Sequence, residues 1–426
     1  MSRPPPFSSW REAMSWLDRF FRDPETAPYA RTRGPARAHS PHTQELIYGV
    51  LRNARALEWF LLPEVRKAPR GLLRSGLLLA LWELLRSPTT PPALVVDHAV
   101  RQLRSVCSAR EAQFANAVLR RCAAALPERQ AALSSLGPEQ WGLVFSHPDA
   151  LVASWRRSFG DRPTKALLEW NQSPPPLFWR QRPGHPLPEG LSPTATPDFF
   201  AVPPGGAEAL RPFLEAGHGY LQDLSTRGPL ELLPDQTPAS VLDLCAAPGG
   251  KTLLLADHFA ATNSFPNTLC LDKEGPRLNR LKDNLRRAGR ADQCPVRAAD
   301  LHQPLVPWLQ KEGLPTAWEW VLLDLPCSNT GVFRRRPEAR WRWSPAGFQQ
   351  LLDLQSRFLR EAATAVAPGG LLIYSTCSIE PAENEDRIDC FLQNEGKNLF
   401  VLERSKRTTP WDDHLDGAAC FALRRS

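Results

Sequence analysis

From residue 236 onward, short apolar runs alternate with helical patterns, and this alternation restricts the possible folds more than any other feature of the chain. The runs with strand character cover residues 240–244, 268–272, 320–324 and 371–375. Parallel strands need a crossover to return the chain, so strands and helices in alternation predict a doubly wound α/β sheet. Ligands of such sheets bind beyond the carboxyl ends of the strands, where this chain carries polar and thiol residues.

The preceding half of the chain has apolar residues at helical spacing instead. We predict helices over residues 44–62, 70–86 and 111–125, with another that begins after Pro92. Helices joined by short links share one core, so residues 43–145 are predicted to form an all-α domain. Composition suggests the other boundaries: a loosely ordered Pro- and Arg-rich segment over 1–42, a Pro-rich connecting subdomain over 146–235, and the α/β domain over 236–426.

Composition and charge exclude several classes of protein. Hydrophobic residues make up 42% of the 426 residues and charged residues 23%, as in ordinary globular proteins, so disorder of the whole chain is excluded. The net charge of +7 weakly favours binding to polyanionic partners. No apolar run is long enough to span a bilayer, and the nine cysteines include no Cys-x-x-Cys pair, so we expect neither a membrane segment nor a metal. Scattered cysteines without a signal peptide predict reduced thiols in a cytoplasmic protein.

Residues 243–252, with the sequence DLCAAPGGKT, are predicted to join the first strand to its helix through a tight turn. Small residues allow a sharp turn, and the backbone N–H groups at a helix start suit a nucleotide-like ligand. The string is neither the GxGxxG dinucleotide fingerprint nor a P-loop. Asp272 ends the next strand, where an acid can accept hydrogen bonds from a ribose diol, and Asp300 follows a further short strand.

Two cysteine motifs follow two other strands of the predicted sheet. Cys327 comes three residues after Asp324 in the string DLPCS, and Cys377 lies in the string YSTCS. Because parallel strands end at one edge, both thiols are expected to face the same ligand. A lone buried cysteine is usually just a small apolar side chain, whereas a thiolate whose pKa is lowered by its neighbours is a strong nucleophile. The pairing of the motifs favours the catalytic interpretation.

Together these motifs resemble those of the RNA cytosine-5 methyltransferase family. Residues 243–252 match the cofactor string of that family, and the Pro-Cys and Thr-Cys motifs match as a pair. The basic stretch 334–343 and the acidic stretch 380–385 resemble the segments that follow the two motifs. The strings at residues 48–52 and 114–121 resemble the helical RNA-binding domain of NusB. A NusB-like domain before such a methyltransferase domain is the arrangement of family members that act on small-subunit ribosomal RNA.

The resemblance implies S-adenosylmethionine as cofactor, RNA as partner and methyl transfer to carbon 5 of cytosine. It assigns the covalent nucleophile to Cys377, product release to Cys327 and stabilisation of the ring to Asp324. The implied cofactor-binding residues are Cys245, Ala246, Ala247, Pro248, Gly249, Gly250, Lys251, Asp272, Asp300 and Asp324. The protein is expected to be a monomer. Basic residues with interleaved tryptophan are predicted to contact RNA phosphates and bases. The RNA-binding residues of this set are Arg334, Arg335, Arg336, Arg340, Trp341 and Arg342, and a further candidate RNA surface comprises Arg52, Arg55, Arg120 and Arg121.

Other interpretations and several departures from the family pattern remain. A DNA cytosine-5 methyltransferase would use the Pro-Cys cysteine and would not need Cys377; the presence of both thiols argues against it. A non-catalytic RNA-binding or antitermination adaptor and a methyltransferase acting on transfer RNA are further alternatives.

Leu325 stands where the family has alanine, Asn329 where it has glycine, and residues 416–421 where it has Asp-Gly-Phe-Phe. Asparagine can adopt the left-handed conformation that glycine favours, so we expect the turn at Asn329 to persist.

Overall fold

The computed structural model describes residues 7–24, 40–261 and 264–426. The chain forms two compact units. The helical unit contains the described residues up to Pro174 together with Phe333–Trp343, and the sheet unit contains the described residues of Pro175–Val332 and Ser344–Ser426. The helices of the helical unit are α1 (Phe7–Arg22), α2 (Pro41–Leu61), α3 (Gly71–Arg86), α4 (Pro92–Arg104), α5 (Ala109–Ser134), α6 (Trp141–Val144), α7 (Asp149–Phe159) and α8 (Asp161–Gln172).

Side-chain caps and a shared apolar core form the helical unit. Ser40 caps α2 by accepting a hydrogen bond from the Thr43 N–H at 3.1 Å. Ser108 and Glu111 form a capping box at the start of α5, which satisfies N–H groups that lack partners within the helix. Each fully buried leucine contributes about 1.5–3 kcal/mol. The core includes Leu46, Ile47, Leu51, Leu77, Leu78, Leu81, Leu103, Val118 and Leu119.

The amino-terminal helix α1 packs into this core. Trp10, Met14 and Leu17 are buried, and the Trp10 Nε1–H donates to Glu83 Oε2 at 3.0 Å. The prediction of a loosely ordered segment over residues 1–42 is therefore wrong for Phe7–Arg22, because one face of that helix is apolar enough to be buried. Residues 1–6 and 25–39 of that segment lie outside the described residues.

The division between the units also differs from the sequence prediction. Helices α7 and α8 belong to the helical unit, so the connecting subdomain predicted over 146–235 is split at residue 174. Residues Phe333–Trp343 also belong to the helical unit, although they lie between two strands of the sheet unit in sequence. Pro-rich composition did not reveal α7 and α8, and it gave no information about which core each piece joins.

The sheet unit contains two sheets. The strands of the sheet unit are β1 (Leu177–Gln181), β2 (Ser192–Pro193), β3 (Phe199–Val202), β4 (Gly219–Leu221), β5 (Ser240–Leu244), β6 (Asn267–Asp272), β7 (Val296–Ala298), β8 (Trp318–Asp324), β9 (Val366–Thr376), β10 (Phe400–Thr408) and β11 (Ala418–Arg425). The helices of this unit are α9 (Arg211–Glu215), α10 (Gly228–Glu231), α11 (Gly250–Ala261), α12 (Pro276–Arg287), α13 (Leu305–Lys311), α14 (Pro345–Thr364) and α15 (Glu385–Gln393). The small antiparallel sheet has the order β2-β3-β1-β4, and the seven-stranded sheet has the order β10-β11-β9-β8-β5-β6-β7.

The seven-stranded sheet confirms the predicted α/β class. Strands β5 to β9 pair in parallel, whereas β11 runs antiparallel to β9 and β10 antiparallel to β11. The chain order reverses at β5, which has β6 on one side and β8 on the other. In open parallel sheets such a switch point opens a crevice at the carboxyl ends of the strands, and ligands bind there. No helix in the described ranges is long and apolar enough to cross a bilayer.

Candidate active site

The carboxyl ends of four neighbouring strands carry the residues that the motifs single out. Cys245 follows β5, Asp272 ends β6, Asp324 ends β8 and Cys377 follows β9. Asp324 pairs in register with Ser375, so the Pro-Cys and Thr-Cys loops begin side by side. The structure therefore brings both cysteine motifs to the edge of the sheet where the Gly-rich turn also lies.

The turn after β5 has a backbone that few residue types adopt. Cys245 has a φ of 57° and Gly249 a φ of 102°. A Cβ atom on Gly249 would also lie 2.8 Å from Leu281 Cδ1, the end of a flexible side chain that can shift, so it is the backbone conformation that requires glycine. The Ala247 N–H donates to Asp272 Oδ2 at 2.8 Å, which fixes the turn against the end of β6. Pro248 lies between Ala247 and Gly249 in the turn, and Gly250 is the first residue of α11.

Asp243 lies buried in β5 beside this turn. Its Oδ2 accepts a hydrogen bond from the Thr252 hydroxyl at 2.5 Å. Burial raises the pKa of Asp243 to about 7, although the hydrogen bond from Thr252 opposes the shift. In the part of the chain that the structure describes, the other oxygen, Oδ1, has no hydrogen-bond partner. A carboxyl group in this state is partly protonated near neutral pH and supports the start of α11.

Lys251 and Asp324 form an ion pair between the turn and the cysteine loops. The Lys251 Nζ is 2.6 Å from Asp324 Oδ1, and the Ser375 hydroxyl donates to the same oxygen at 3.0 Å. Burial alone would lower the pKa of Lys251, but attraction to Asp324 and the hydrogen bond with it outweigh burial and raise that pKa. The ammonium group therefore stays charged and orients the Asp324 carboxylate.

The two motif cysteines meet at the edge of the sheet. Their sulfur atoms are 3.0 Å apart, and neither cysteine is in a disulfide. The Cys377 N–H donates to Cys327 Sγ at 3.3 Å, and the Cys377 thiol donates to Asn329 Oδ1 at 3.5 Å. The pKa of Cys327 is raised well above its usual value, chiefly by the hydrogen bond with Cys377 and next by burial. Two thiols in this arrangement can both reach one small ring.

Glu383 is a functional candidate that the sequence analysis covered only as part of an acidic stretch. Its side chain is buried, and its Oε1 accepts hydrogen bonds from the Ser328 N–H and Gln355 Nε2, both at 2.8 Å. Its Oε2 accepts from the hydroxyl groups of Ser328 and Ser378. One carboxylate thus ties the Pro-Cys loop to the Thr-Cys loop. Its place six residues after Cys377 was visible in the sequence, but the direction of its side chain was not.

Asp272 is the last residue of β6, and Asp300 follows β7 at the same edge of the sheet. Besides the bond from Ala247, Asp272 accepts the Lys273 N–H at Oδ1, 2.8 Å away. A carboxylate has about four acceptor positions, so Asp272 keeps capacity for a ligand. Asp300 Oδ1 is 2.6 Å from His302 Nδ1, and hydrogen bonds from the side chain and backbone of His302 lower the pKa of Asp300.

The basic stretch after the Pro-Cys loop packs within the helical unit. Arg340 is fully buried, and its guanidinium donates to the carbonyl oxygens of Ser146 at 3.3 Å and Asn171 at 3.1 Å. The predicted contact of Arg340 with RNA conflicts with this burial, because its charge and donors are directed at internal carbonyl groups. Trp341 also contacts the helical core and donates from Nε1 to the Leu51 carbonyl oxygen at 2.9 Å.

The remaining arginines of that stretch are less enclosed. Arg334 lies 4.0 Å from the centre of the Trp170 ring and donates to the Pro174 carbonyl oxygen at 2.8 Å. Arg342 donates to the Pro24 carbonyl oxygen at 2.7 Å. Arg335 is half-buried, and Arg336 is exposed. The sequence showed the charges but not that a neighbouring core binds most of the stretch.

The comparisons with known proteins agree with this architecture. Residues 230–409 match the family described as 16S rRNA methyltransferase RsmB/F, and residues 13–124 match the NusB family. A Citrobacter koseri protein named ribosomal RNA small subunit methyltransferase B is 30% identical over 368 residues, which cover 82% of this chain and 81% of the relative. A Salmonella typhi protein of the same name is 30% identical over 392 residues, which cover 88% of this chain and 86% of the relative. The crystal structure of PH0851 covers 99% of this chain and 100% of its own, with a TM-score of 0.76 at 20% identity, which shows a common fold. With its helical NusB domain, its α/β domain and these relatives, the chain belongs to the ribosomal RNA small subunit methyltransferase B family.

Proposed function

We propose that this protein transfers a methyl group from S-adenosylmethionine to carbon 5 of a cytosine in small-subunit ribosomal RNA, through a covalent adduct with Cys377. The observation that carries the proposal is the pair of reduced thiols, 3.0 Å apart, beside the Lys251–Asp324 ion pair. A DNA cytosine-5 methyltransferase would need only the Pro-Cys thiol. The NusB domain and the names of the relatives favour ribosomal RNA as the substrate.

The residues around the turn fit S-adenosylmethionine. The turn has only small side chains, Asp272 retains acceptor capacity for a ribose diol, and Asp243 leaves a buried acceptor unpartnered within the described chain. The carboxylates of Asp272, Asp300 and Asp324 give this edge a negative potential that suits a sulfonium cation. Bound there, S-adenosylmethionine would supply an electrophilic methyl group. The residues proposed to hold it are Cys245, Ala246, Ala247, Pro248, Gly249, Gly250, Lys251, Asp272, Asp300 and Asp324.

Cys377 acts as the nucleophile because carbon 5 of cytosine is unreactive in the aromatic ring. Cys377 loses its thiol proton to solvent when the substrate binds, the resulting thiolate forms a bond to carbon 6, and the electron pair of the former double bond makes carbon 5 nucleophilic. Asp324, which Lys251 and Ser375 hold in place before the reaction, is proposed to bond the edge of the ring, and the Lys251 ammonium beside it offsets negative charge that builds at ring nitrogen 3.

Cys327 completes the cycle after carbon 5 has received the methyl group. Carbon 5 then carries both the methyl group and its original hydrogen. Cys327 takes that proton as its own thiol proton passes to the sulfur of Cys377, 3.0 Å away, the electrons of the C–H bond restore the ring double bond, and Cys377 leaves as a thiol. The separation of 3.0 Å between the two sulfur atoms allows both to act on one ring.

The RNA surface is proposed to include a basic groove on the helical unit. The target base must leave its stack to expose carbon 6, so loops and single strands are the expected targets. A groove of about 480 Å³ lies between α4 and α5, and Arg101, Arg104 and Arg120 line it above an apolar floor. Arginines above an apolar floor can bind phosphates and accommodate a base. Arg334, Arg335, Arg336 and Arg342 remain candidates for further contacts.

The function is tested by methyl transfer from tritium-labelled S-adenosylmethionine to three substrates: small-subunit ribosomal RNA, transfer RNA and duplex DNA. We expect label in ribosomal RNA, and bisulfite sequencing of the product should find protected cytosine there. Label confined to transfer RNA would contradict the proposed substrate, and label in duplex DNA would favour the DNA enzyme. Cofactor binding without transfer to any of the three would contradict the proposed activity and favour the adaptor interpretation.

Replacing Cys327 with alanine is expected to trap the covalent complex. Without the proton acceptor, Cys377 cannot leave, so a protein–RNA species should accumulate and survive a denaturing gel. The double variant Cys327→Ala/Cys377→Ala is the matched control and should form no adduct. An adduct-free Cys327→Ala variant that turns over normally would remove Cys327 from the release step.

A further inference from the structure

Asn329 is the residue next to the proposed nucleophile at which this chain departs from the family pattern of glycine. Its side chain makes two directed contacts within the Pro-Cys and Thr-Cys loops. The Asn329 Nδ2 donates to the Cys327 carbonyl oxygen at 2.8 Å, and Oδ1 accepts from the Cys377 thiol at 3.5 Å. The first bond fixes which end of the amide faces the sulfur, because a carbonyl oxygen can accept only from the NH₂ end.

The backbone places this amide. Asn329 has a φ of 62°, in the left-handed region, and the Val332 N–H donates to its carbonyl oxygen at 3.0 Å. Asparagine is among the few non-glycine residues that adopt this conformation readily. The turn that glycine would form is thus kept, and the asparagine adds an acceptor that glycine lacks.

We propose that Asn329 is a positioning residue that holds Cys377 as a neutral, hydrogen-bonded thiol until the substrate binds. This inference rests on the proposed function, which makes Cys377 the nucleophile. An acceptor beside the S–H group favours the protonated form, because the thiolate has no hydrogen to donate. The amide also restrains the position of the sulfur through this hydrogen bond.

Other charged and titratable groups surround the two sulfur atoms. Lys251 favours the thiolate, and the two thiols in turn contribute to raising the pKa of Lys251. Asp324 and Glu383 oppose formation of a second negative charge, and Cys327 contacts Cys377 directly. The neutral acceptor of Asn329 therefore acts on a balance among one cation, two carboxylates and a second thiol, in which a single hydrogen bond is enough to change the reactive fraction.

Asn329→Gly tests the inference, because glycine keeps the left-handed turn and removes only the amide. The rate of iodoacetamide alkylation of Cys377 is measured by peptide mass spectrometry on the full chain, without RNA or cofactor, between pH 6 and pH 9. We expect alkylation of Cys377 at pH 7 to be about three- to tenfold faster, the factor that one ordinary hydrogen bond corresponds to. The pH of half-maximal alkylation should fall.

Asn398→Gly is the matched control. Asn398 is exposed and has a φ of 61°, so the same replacement at the same backbone conformation should leave Cys377 alkylation unchanged. Asn329→Asp should slow alkylation, since a negative charge opposes the thiolate. A rate in Asn329→Gly equal to or below that of the unmodified protein, at an unchanged melting temperature, would overturn the inference.

The measurement also separates this inference from the proposed function. Alkylation needs neither RNA nor S-adenosylmethionine, so faster alkylation in a protein that methylates no RNA would leave the role of Asn329 standing and remove the proposed function. Unchanged alkylation in the Asn329→Gly variant of a protein that methylates RNA through Cys377 would remove the role of Asn329 and leave the proposed function standing. A merely structural loss of the turn would lower the melting temperature and change the alkylation of Cys327 as well.

Discussion

Cys377→Ala is expected to lose methyl transfer to RNA by at least about 10³-fold, while S-adenosylmethionine binds with unchanged affinity. Without the sulfur, carbon 6 of the base gains no covalent partner, and carbon 5 stays an unreactive ring atom. Asp272 and Asp300 are held by hydrogen bonds with Ala247, Lys273 and His302, which do not involve the Cys377 side chain. Single-turnover transfer of tritium and equilibrium dialysis of the cofactor measure the two quantities separately.

Cys390→Ala is the control for Cys377→Ala. Cys390 is an exposed thiol in α15, and its loss should leave transfer and cofactor binding intact. Turnover of Cys377→Ala within about tenfold of the unmodified protein would mean that another group attacks the base. A simultaneous loss of cofactor binding would show instead that the replacement disturbs the whole edge of the sheet.

Asp257→Asn is expected to destabilise the sheet unit by about 3–5 kcal/mol, since it leaves buried cations uncompensated. Asp257, in α11, is buried and lies 2.9 Å from Arg180 Nη1 and 3.0 Å from Arg182 Nε. Arg290 Nη2 is a third cation at 3.7 Å. Burial lowers the pKa of Arg180, and the attraction of Asp257 counteracts that shift. Urea and thermal unfolding followed by circular dichroism measure the change, with a melting temperature lower by on the order of 10 °C.

Asp283→Asn provides the comparison for Asp257→Asn. Asp283 is 2.7 Å from Arg286 on α12, and both side chains are more than half exposed, so solvent screens the pair. That replacement should change the free energy of unfolding by less than about 1 kcal/mol. Equal stability of the Asp257→Asn and Asp283→Asn proteins would contradict the assignment of Asp257 as the charge that holds the arginines in place.

Several elements followed from sequence periodicity because their physical causes are local. The strand at Ser240–Leu244 and the helix at Gly71–Arg86 were predicted within three residues, since buried strands and amphipathic helices leave repeating apolar patterns. The left-handed turn at Asn329 was also predicted correctly, because backbone preference is a property of the residue itself. The docking of the helix at Phe7–Arg22 was missed, because it depends on a core formed by distant residues.

Some features of the candidate site are likewise encoded locally, and others depend on distant contacts. The sequence by itself determined the α/β class, the Gly-rich turn and the order of the two cysteine motifs, because strand alternation and tight turns are encoded over a few neighbouring residues. Only the tertiary structure decided that the two sulfur atoms meet, that Glu383 joins their loops, and that Arg340 is buried among carbonyl oxygens instead of exposed to a partner. These features depend on contacts between residues about 50 to 200 positions apart, and no local pattern encodes which distant surface a side chain will meet.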